Sequence, residues 1–217
     1  MEIHVEGEAL EYVSPDQVIL NIEFKKKGES YNAVLNEGIE SVKTFIEQIL
    51  IPNSIDKEEL KTRSFTIEED KKYNNKLKKY EKVGFLFNQE AVLRFDYDKI
   101  LLAAIMISLS NLKNPPLCYV EFGLKDKKEV QKNILSKAYE DAKIKAEFIA
   151  IASKKKLKDC IKTEFLKKSN SEFISNFAIE EGIITSSLEV QTKNIVNTLI
   201  PEDIKLSEKL YCLWITE

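Results

Sequence analysis

Apolar residues recur along this chain with two different periods, and the changes of period mark its elements. From Val18 to Phe24 every second residue is apolar (Val18, Leu20, Ile22, Phe24), the repeat of a strand with one buried face. In an earlier strand Ile3, Val5 and Ala9 share one face, while Glu2, His4, Glu6 and Glu8 occupy the other. Pro15 cannot donate a ladder hydrogen bond, so with Asp16 it belongs to a turn at the start of the second strand. The period then becomes helical: Ser30 is an N-cap, Tyr31, Leu35, Ile39, Val42, Ile46 and Ile49 fall on one stripe, and Pro52 ends the helix. A strand over "LKTRSFTIEE", a lysine- and asparagine-rich connection and the long strand "VGFLFNQEAVLRFDY" predict a protruding hairpin, with Phe85, Phe87, Ala91, Leu93 and Phe95 on one face. Asp98 caps an apolar helix over 100–109, and Pro115-Pro116 stops the chain before the strand "LCYVEFGL". Strand, helix, strand therefore occurs twice, at 18–67 and 85–124, as an architectural repeat without residue identity.

The segment 126–156 predicts the longest helix. Asp126 and Glu129 have capping-box spacing. Val130, Ile134, Ala138, Ala142, Ala146 and Ala150 step by four residues, a narrow stripe flanked by Leu135, Phe148 and Ile149. Small residues there set a short helix-to-sheet distance, and the lysines at 154–156 suit the helix C-terminus. After a strand near 157–166, residues 169–200 show no period and are rich in Ser, Asn and Thr, as in a long loop or arm. Leu206, Leu210, Cys212 and Trp214 share a face of a closing strand. The expected fold is α+β: mainly antiparallel sheet or sheets with about three helices on one side, two strand-helix-strand units, then a long helix and C-terminal strands, in a single domain over 1–217.

Composition narrows the class. The chain has 217 residues, 32% charged and 43% hydrophobic, as expected of a globular protein and not of a disordered or membrane one. Its net charge of −3 gives no overall attraction to nucleic acid. Cys118, Cys160 and Cys212 form no C-x-x-C pair, which fits a reducing compartment, and the chain opens directly in strand-like sequence without signal-peptide regions. Cytoplasmic localisation is the expectation. The most apolar stretch, "ILLAAIMISL", is roughly half the length of a membrane span and reads as a buried helix.

The candidate chemistry is sparse. His4, Glu6 and Glu8 project from one strand face as metal ligands would, but a solvated face that protects an edge strand explains them better. With one histidine and no G-x-S-x-G elbow, nucleophilic triads have no support, and neither G-x-G-x-x-G nor a P-loop is present. Cys160 lies near Lys156, Lys158 and Lys162, as a redox thiol would, although a structural cysteine at a strand edge is the simpler reading. Six lysines interleaved with Tyr73 and Tyr80 in "KKYNNKLKKYEK" look like a single-strand nucleic-acid finger. A solvated hairpin tip is favoured over that reading, because acidic residues 68–70 adjoin it.

Taken in order, "I-x-V-x-G-E" at the start, "SPD" before the second strand, "LKTRSFTIEED", "F-G-L-K-D" and the "A-x-x-x-A-x-x-x-A" helix resemble the SIMPL (DUF541) family over essentially the whole chain. The "IPEDIKLSEKLYCLWI" ending is also similar. The matching residues are Gly7, Glu8, Pro15, Asp16, Ala138, Ala142 and Ala146, all with structural explanations. The resemblance implies an α+β fold, self-association, no agreed catalytic activity, and loose links to stress defence or the cell envelope. Many relatives are exported, from which this chain departs. A non-enzymatic protein without cofactor or metal is therefore expected, partnered by copies of itself, with no membrane span and nucleic acid not favoured. The expected interaction surface is the hairpin (Lys71, Lys72, Tyr73, Lys76, Lys78, Lys79, Tyr80) or the arm (Phe173, Ile174, Phe177, Ile183). The alternatives are a small-ligand protein or enzyme with an unlocated cleft, or weak nucleic-acid binding through the hairpin at 71–82.

Overall fold

The alternating runs become strands and the four-residue steps become helices, in the order β1 (Glu2–Val13), β2 (Gln17–Gly28), α1 (Tyr31–Phe45), β3 (Lys61–Asn74), β4 (Lys79–Asp96), α2 (Lys99–Ser110), β5 (Leu117–Gly123), α3 (Lys127–Ala152), β6 (Leu157–Phe165), β7 (Phe177–Ala178) and β8 (Ile204–Thr216). This computed structural model describes residues 1–75, 77–165, 177–178 and 198–217. Among the described residues every strand pair is antiparallel. The fold is α+β, as expected, and its contacts group into two compact units.

One unit comprises Asp16–Gly123 and Ile174–Pro201. Its sheet has the order β3-β4-β2-β5-β7, so both strand-helix-strand passes share one sheet. The apolar face of β2, Val18, Leu20, Ile22 and Phe24, is fully buried beneath Phe45, Ile49 and Leu50 on one side and Leu102, Ile105 and Leu109 on the other. Both helices therefore cover the same sheet face. Their starts are the expected ones: the Ala33 N–H donates to Ser30 Oγ at 3.2 Å, and the Ile100 and Leu101 N–H groups donate to Asp98 Oδ1 at 2.8 and 3.2 Å.

The buried stripe of α1 differs from the expected one. Val34, Gly38 and Phe45 face the core, whereas Tyr31 and Ile39 are exposed and Leu35 is half-buried. Gly38 is the reason: a Cβ there would sit 2.4 Å from the Phe87 ring, so the helix lays its smallest residue on a buried phenylalanine of β4 and turns Ile39 outward. The helix also runs on past Phe45 as a π turn over Ile46–Leu50 and a 3-10 turn over Ile51–Asn53, closing at Ser54 with φ 57°. The π turn brings adjacent residues, Ile49 and Leu50, into the core together.

The other unit comprises Met1–Pro15, Leu124–Phe173 and Glu202–Glu217. Its sheet has the order β1-β8-β6, so β1 and β2 are not a hairpin: the Ser14–Asp16 connection leads from one sheet to the other. At its far end the Asp16 N–H donates to the Gly123 carbonyl at 3.1 Å, and the Asp16 carbonyl accepts from the Tyr97 N–H at 2.9 Å, fixing the start of β2.

In this unit the 26-residue α3 buries Ile134, Ala138, Ala142, Ala146 and Ala150, the four alanines packing against Ile3, Val5, Leu210, Cys212 and Trp214. Its N-cap is Asp126, which accepts from the Glu129 N–H at 2.9 Å. Gly7 makes the approach possible: a Cβ on it would lie 2.0 Å from the Ala138 carbonyl oxygen and 2.7 Å from the Ala142 Cβ. Trp214 is buried beside Tyr139, ring centroids 5.6 Å apart. Phe148 and Ile149 do not flank the stripe as expected. They are 76% and 39% exposed, Phe148 because it stands two residues from both Ala146 and Ala150 and so on the far side of the helix. Ile144 and Ile151, 63% and 73% exposed, join Phe148 on an outward ridge.

Replacing Ala142 by leucine should overpack this contact and lower stability by about 1–3 kcal/mol. The urea midpoint measures it, and an unchanged midpoint would contradict the placement of α3.

Candidate functional site

Because strand side chains alternate, burying Ile3, Val5 and Gly7 under α3 forces His4, Glu6 and Glu8 to the opposite face. The three do not converge on a shared point. His4 Nε2 lies 3.8 Å from Glu2 Oε2, both side chains well exposed. Glu6 and Glu8 are instead held by one cation from β8: Lys209 Nζ is 2.6 Å from Glu6 Oε1 and 2.9 Å from Glu8 Oε2. This ammonium, aided by Tyr211, holds the Glu6 carboxyl below the usual carboxylate range, and the two carboxylates in turn raise Lys209. Among the described residues, no three His, Cys, Asp or Glu side chains are grouped to hold a metal ion. An open groove of about 380 Å³ crosses this face, bordered by His4, Glu6, Lys162, Glu164, Tyr211 and Leu213. Its charges are internally matched, since Lys162 pairs with Glu164.

The edge of β1 away from β8 is where the helix acts. The Glu8 N–H donates to Asp141 Oδ2 at 2.9 Å, and Lys145 Nζ donates both to Asp141 Oδ2 at 2.7 Å and to the Glu6 carbonyl at 3.1 Å. Lys145 and then the Glu8 N–H hold the Asp141 carboxyl below its usual range. A salt-bridged pair one helical turn apart thus occupies backbone groups that a foreign strand would otherwise use. The expected edge protection exists, but Asp141 and Lys145 supply it and not the Glu6 and Glu8 side chains. Their i, i+4 spacing was legible; their reach to β1 depends on Gly7 and so lay beyond local pattern.

The predicted hairpin is present as β3 and β4, with Lys78 at φ 50° in its turn. Tyr73 and Tyr80 stand opposite each other, rings 5.2 Å apart at a steep angle. The lysines are extensively paired: Lys71 and Lys82 with Glu69 at 3.2 and 3.0 Å, Lys79 with Glu81 at 3.7 Å, and Lys27 of β2 with Asp70 at 2.9 Å. Lys72 stands across from Glu81 in the ladder. Lys82 also lies 3.9 Å above the Phe85 ring. Neighbouring carboxylates thus offset the positive field a nucleic-acid finger requires, while Leu77, Tyr80 and Val83 remain more than half exposed. Lys76, Phe173, Ile174 and Ile183 lie outside the described residues, as does most of the arm at 169–200. The backbone of Phe177 pairs with Val120.

These surfaces and the helix-on-sheet units define an α+β protein whose polar residues organise strand edges and a long hairpin. The chain belongs to the SIMPL family, a protein family of unknown function (DUF541), whose sequence model matches residues 3–193. No curated protein matches it. Among the described residues, no helix is long and apolar enough to cross a membrane.

Since the folded Glu6 and Asp141 carboxyls titrate below their ordinary values, their contribution to stability is present above those values and is lost as pH falls through the depressed ones. Carboxyl NMR titration should therefore give midpoints below the ordinary values of 4.5 for Glu6 and 3.8 for Asp141. Lys209→Met should raise the first and Lys145→Met the second. Midpoints unmoved by these changes would rule out the two pairings.

Proposed function

We propose that this protein is a non-enzymatic, self-associating member of its family, acting in the cytoplasm through an assembly of identical subunits. The observation that carries this reading is the ridge Ile144, Phe148 and Ile151 on α3. These residues are spaced four and three apart, so they stand in a line on the helix face away from the alanine stripe. Glu140, Lys143, Glu147 and Lys155 border them in sequence, which gives an apolar strip with a charged rim, the composition of a subunit contact. A line of side chains on a straight helix is readily self-complementary about a two-fold axis. The hairpin surface of Leu77, Tyr80 and Val83 is a second such contact, beside Lys79 and Lys82 in their ion pairs with Glu81 and Glu69.

The stress- or envelope-linked role implied by the family resemblance would then belong to the assembly and not to a reaction. Three cysteines without a disulfide support a reducing compartment.

Native mass spectrometry tests this directly. The expected result is a discrete oligomer with no added mass, which Phe148→Glu converts to a smaller species with an unchanged circular dichroism spectrum. Tyr80→Glu should loosen any assembly that outlives that change. A wild-type monomer, especially one carrying a defined extra mass, would overturn the reading in favour of a ligand-binding protein. An oligomer untouched by both substitutions would remove the two surfaces proposed.

A further inference from the structure

Two of the three cysteines lie together on the buried face of the three-stranded sheet. Cys160 belongs to β6, an edge strand, and Cys212 to β8 beside it. Alternation alone would put Cys160 and Thr163 on opposite faces, since they are an odd number of positions apart. The ladder slips between Cys160 and Lys162, pairing Cys160 with Trp214, Lys162 with Leu213 and Thr163 with Cys212. Ile161 is the extra residue, turned outward and 53% exposed, and the bulge restores both Cys160 and Thr163 to the side facing α3. There the Thr163 hydroxyl lies 3.4 Å from the Cys160 sulfur and 3.8 Å from the Cys212 sulfur. The Cys160 thiol donates to the Lys162 carbonyl at 3.4 Å. Thr163 thus bridges the two sulfurs, and both pack with Tyr139 in the same apolar cluster.

We infer that Cys160 and Cys212 form a peroxide-reactive dithiol that closes to an intrachain disulfide across β6 and β8. Cys160 is the attacking group, because it is only half-buried on an edge strand while Cys212 is enclosed. Its thiolate sulfur attacks one oxygen of a hydroperoxide. The O–O bond breaks, the other oxygen takes up the proton that the Cys160 thiol released on ionising and leaves as water or an alcohol, and Cys160 becomes a sulfenic acid. The Cys212 sulfur then attacks that sulfur, the S–S bond forms, and the sulfenic hydroxyl leaves with the Cys212 proton as water. In sum two thiols lose two electrons and two protons, and the peroxide is reduced by two electrons.

Diagonal neighbours on adjacent strands start farther apart than a disulfide allows, so closure requires the bulged edge strand to shift. Such a bond is readily reduced, which suits a reversible modification in a thiol-rich compartment. Burial opposes ionisation of Cys212, so it acts second, as the resolving thiol. Cys118 is an internal control: it is buried in the other unit and pushed up to about 12.

The test treats the full chain, fully reduced, with stoichiometric hydrogen peroxide, then counts free thiols by maleimide labelling after unfolding and maps linked peptides by mass spectrometry. The expected result is loss of two of the three thiols, a peptide pair joining Cys160 to Cys212 that is two hydrogens lighter, and return of both thiols on reduction. Cys212→Ser should leave a sulfenic acid at Cys160 that dimedone traps, and Cys160→Ser should give neither adduct nor link. Three free thiols after treatment, a link that uses Cys118, or a bond only between separate chains would each overturn the inference.

Discussion

The contact on which the smaller unit depends is backbone to backbone: α3 meets β1 where Gly7 has no side chain and the helix presents Ala138 and Ala142. The helix can sit this low because Gly7 leaves no side chain beneath Ala138 and Ala142, and several features follow. Asp141 and Lys145 come within hydrogen-bonding reach of the free edge of β1. On the outer face of the helix Ile144, Phe148 and Ile151 stand exposed. The opposite face of the sheet is left to charged residues, matched among themselves by Lys209.

The larger unit solves the same helix-on-sheet problem with bulk. Phe24, Phe45 and Phe87 fill the space between β2, β4 and α1, with Phe24 and Phe45 edge to face at 5.6 Å. One close approach is still needed, where Gly38 receives the Phe87 ring. The two strand-helix-strand passes share no residue pattern because each fills its half of the core differently: α1 uses a glycine and a π turn, α2 an almost wholly apolar surface.

Elements governed by local chemistry were legible. Ser30, Asp98 and Asp126 each cap the helix their positions announce, and the alanine steps identify the buried side of α3. The ordered short motifs led to the family. Features set by a partner distant in sequence were not legible. The apolar residues of α1 are compatible with two neighbouring stripes, and Phe87 decides between them. The outward turn of Ile161 reverses a face assignment that simple alternation would make, and no residue type in β6 signals it. The division of β1 and β2 between separate sheets is equally a matter of pairing, on which the strand periods are silent. Of the candidate surfaces, the hairpin was foreseen from its lysines and tyrosines, whereas its internal charge matching required the register of β3 on β4.

Trp214 is the chain's one tryptophan, and its burial against Tyr139 makes it an intrinsic optical reporter. Its emission comes from the alanine-packed unit alone, while the backbone signal in the far ultraviolet sums both. Comparing the two signals through a denaturant series would distinguish concerted from stepwise melting of the units without a label. Because the indole also lies across the ladder from Cys160, its brightness should register chemistry at that sulfur as well.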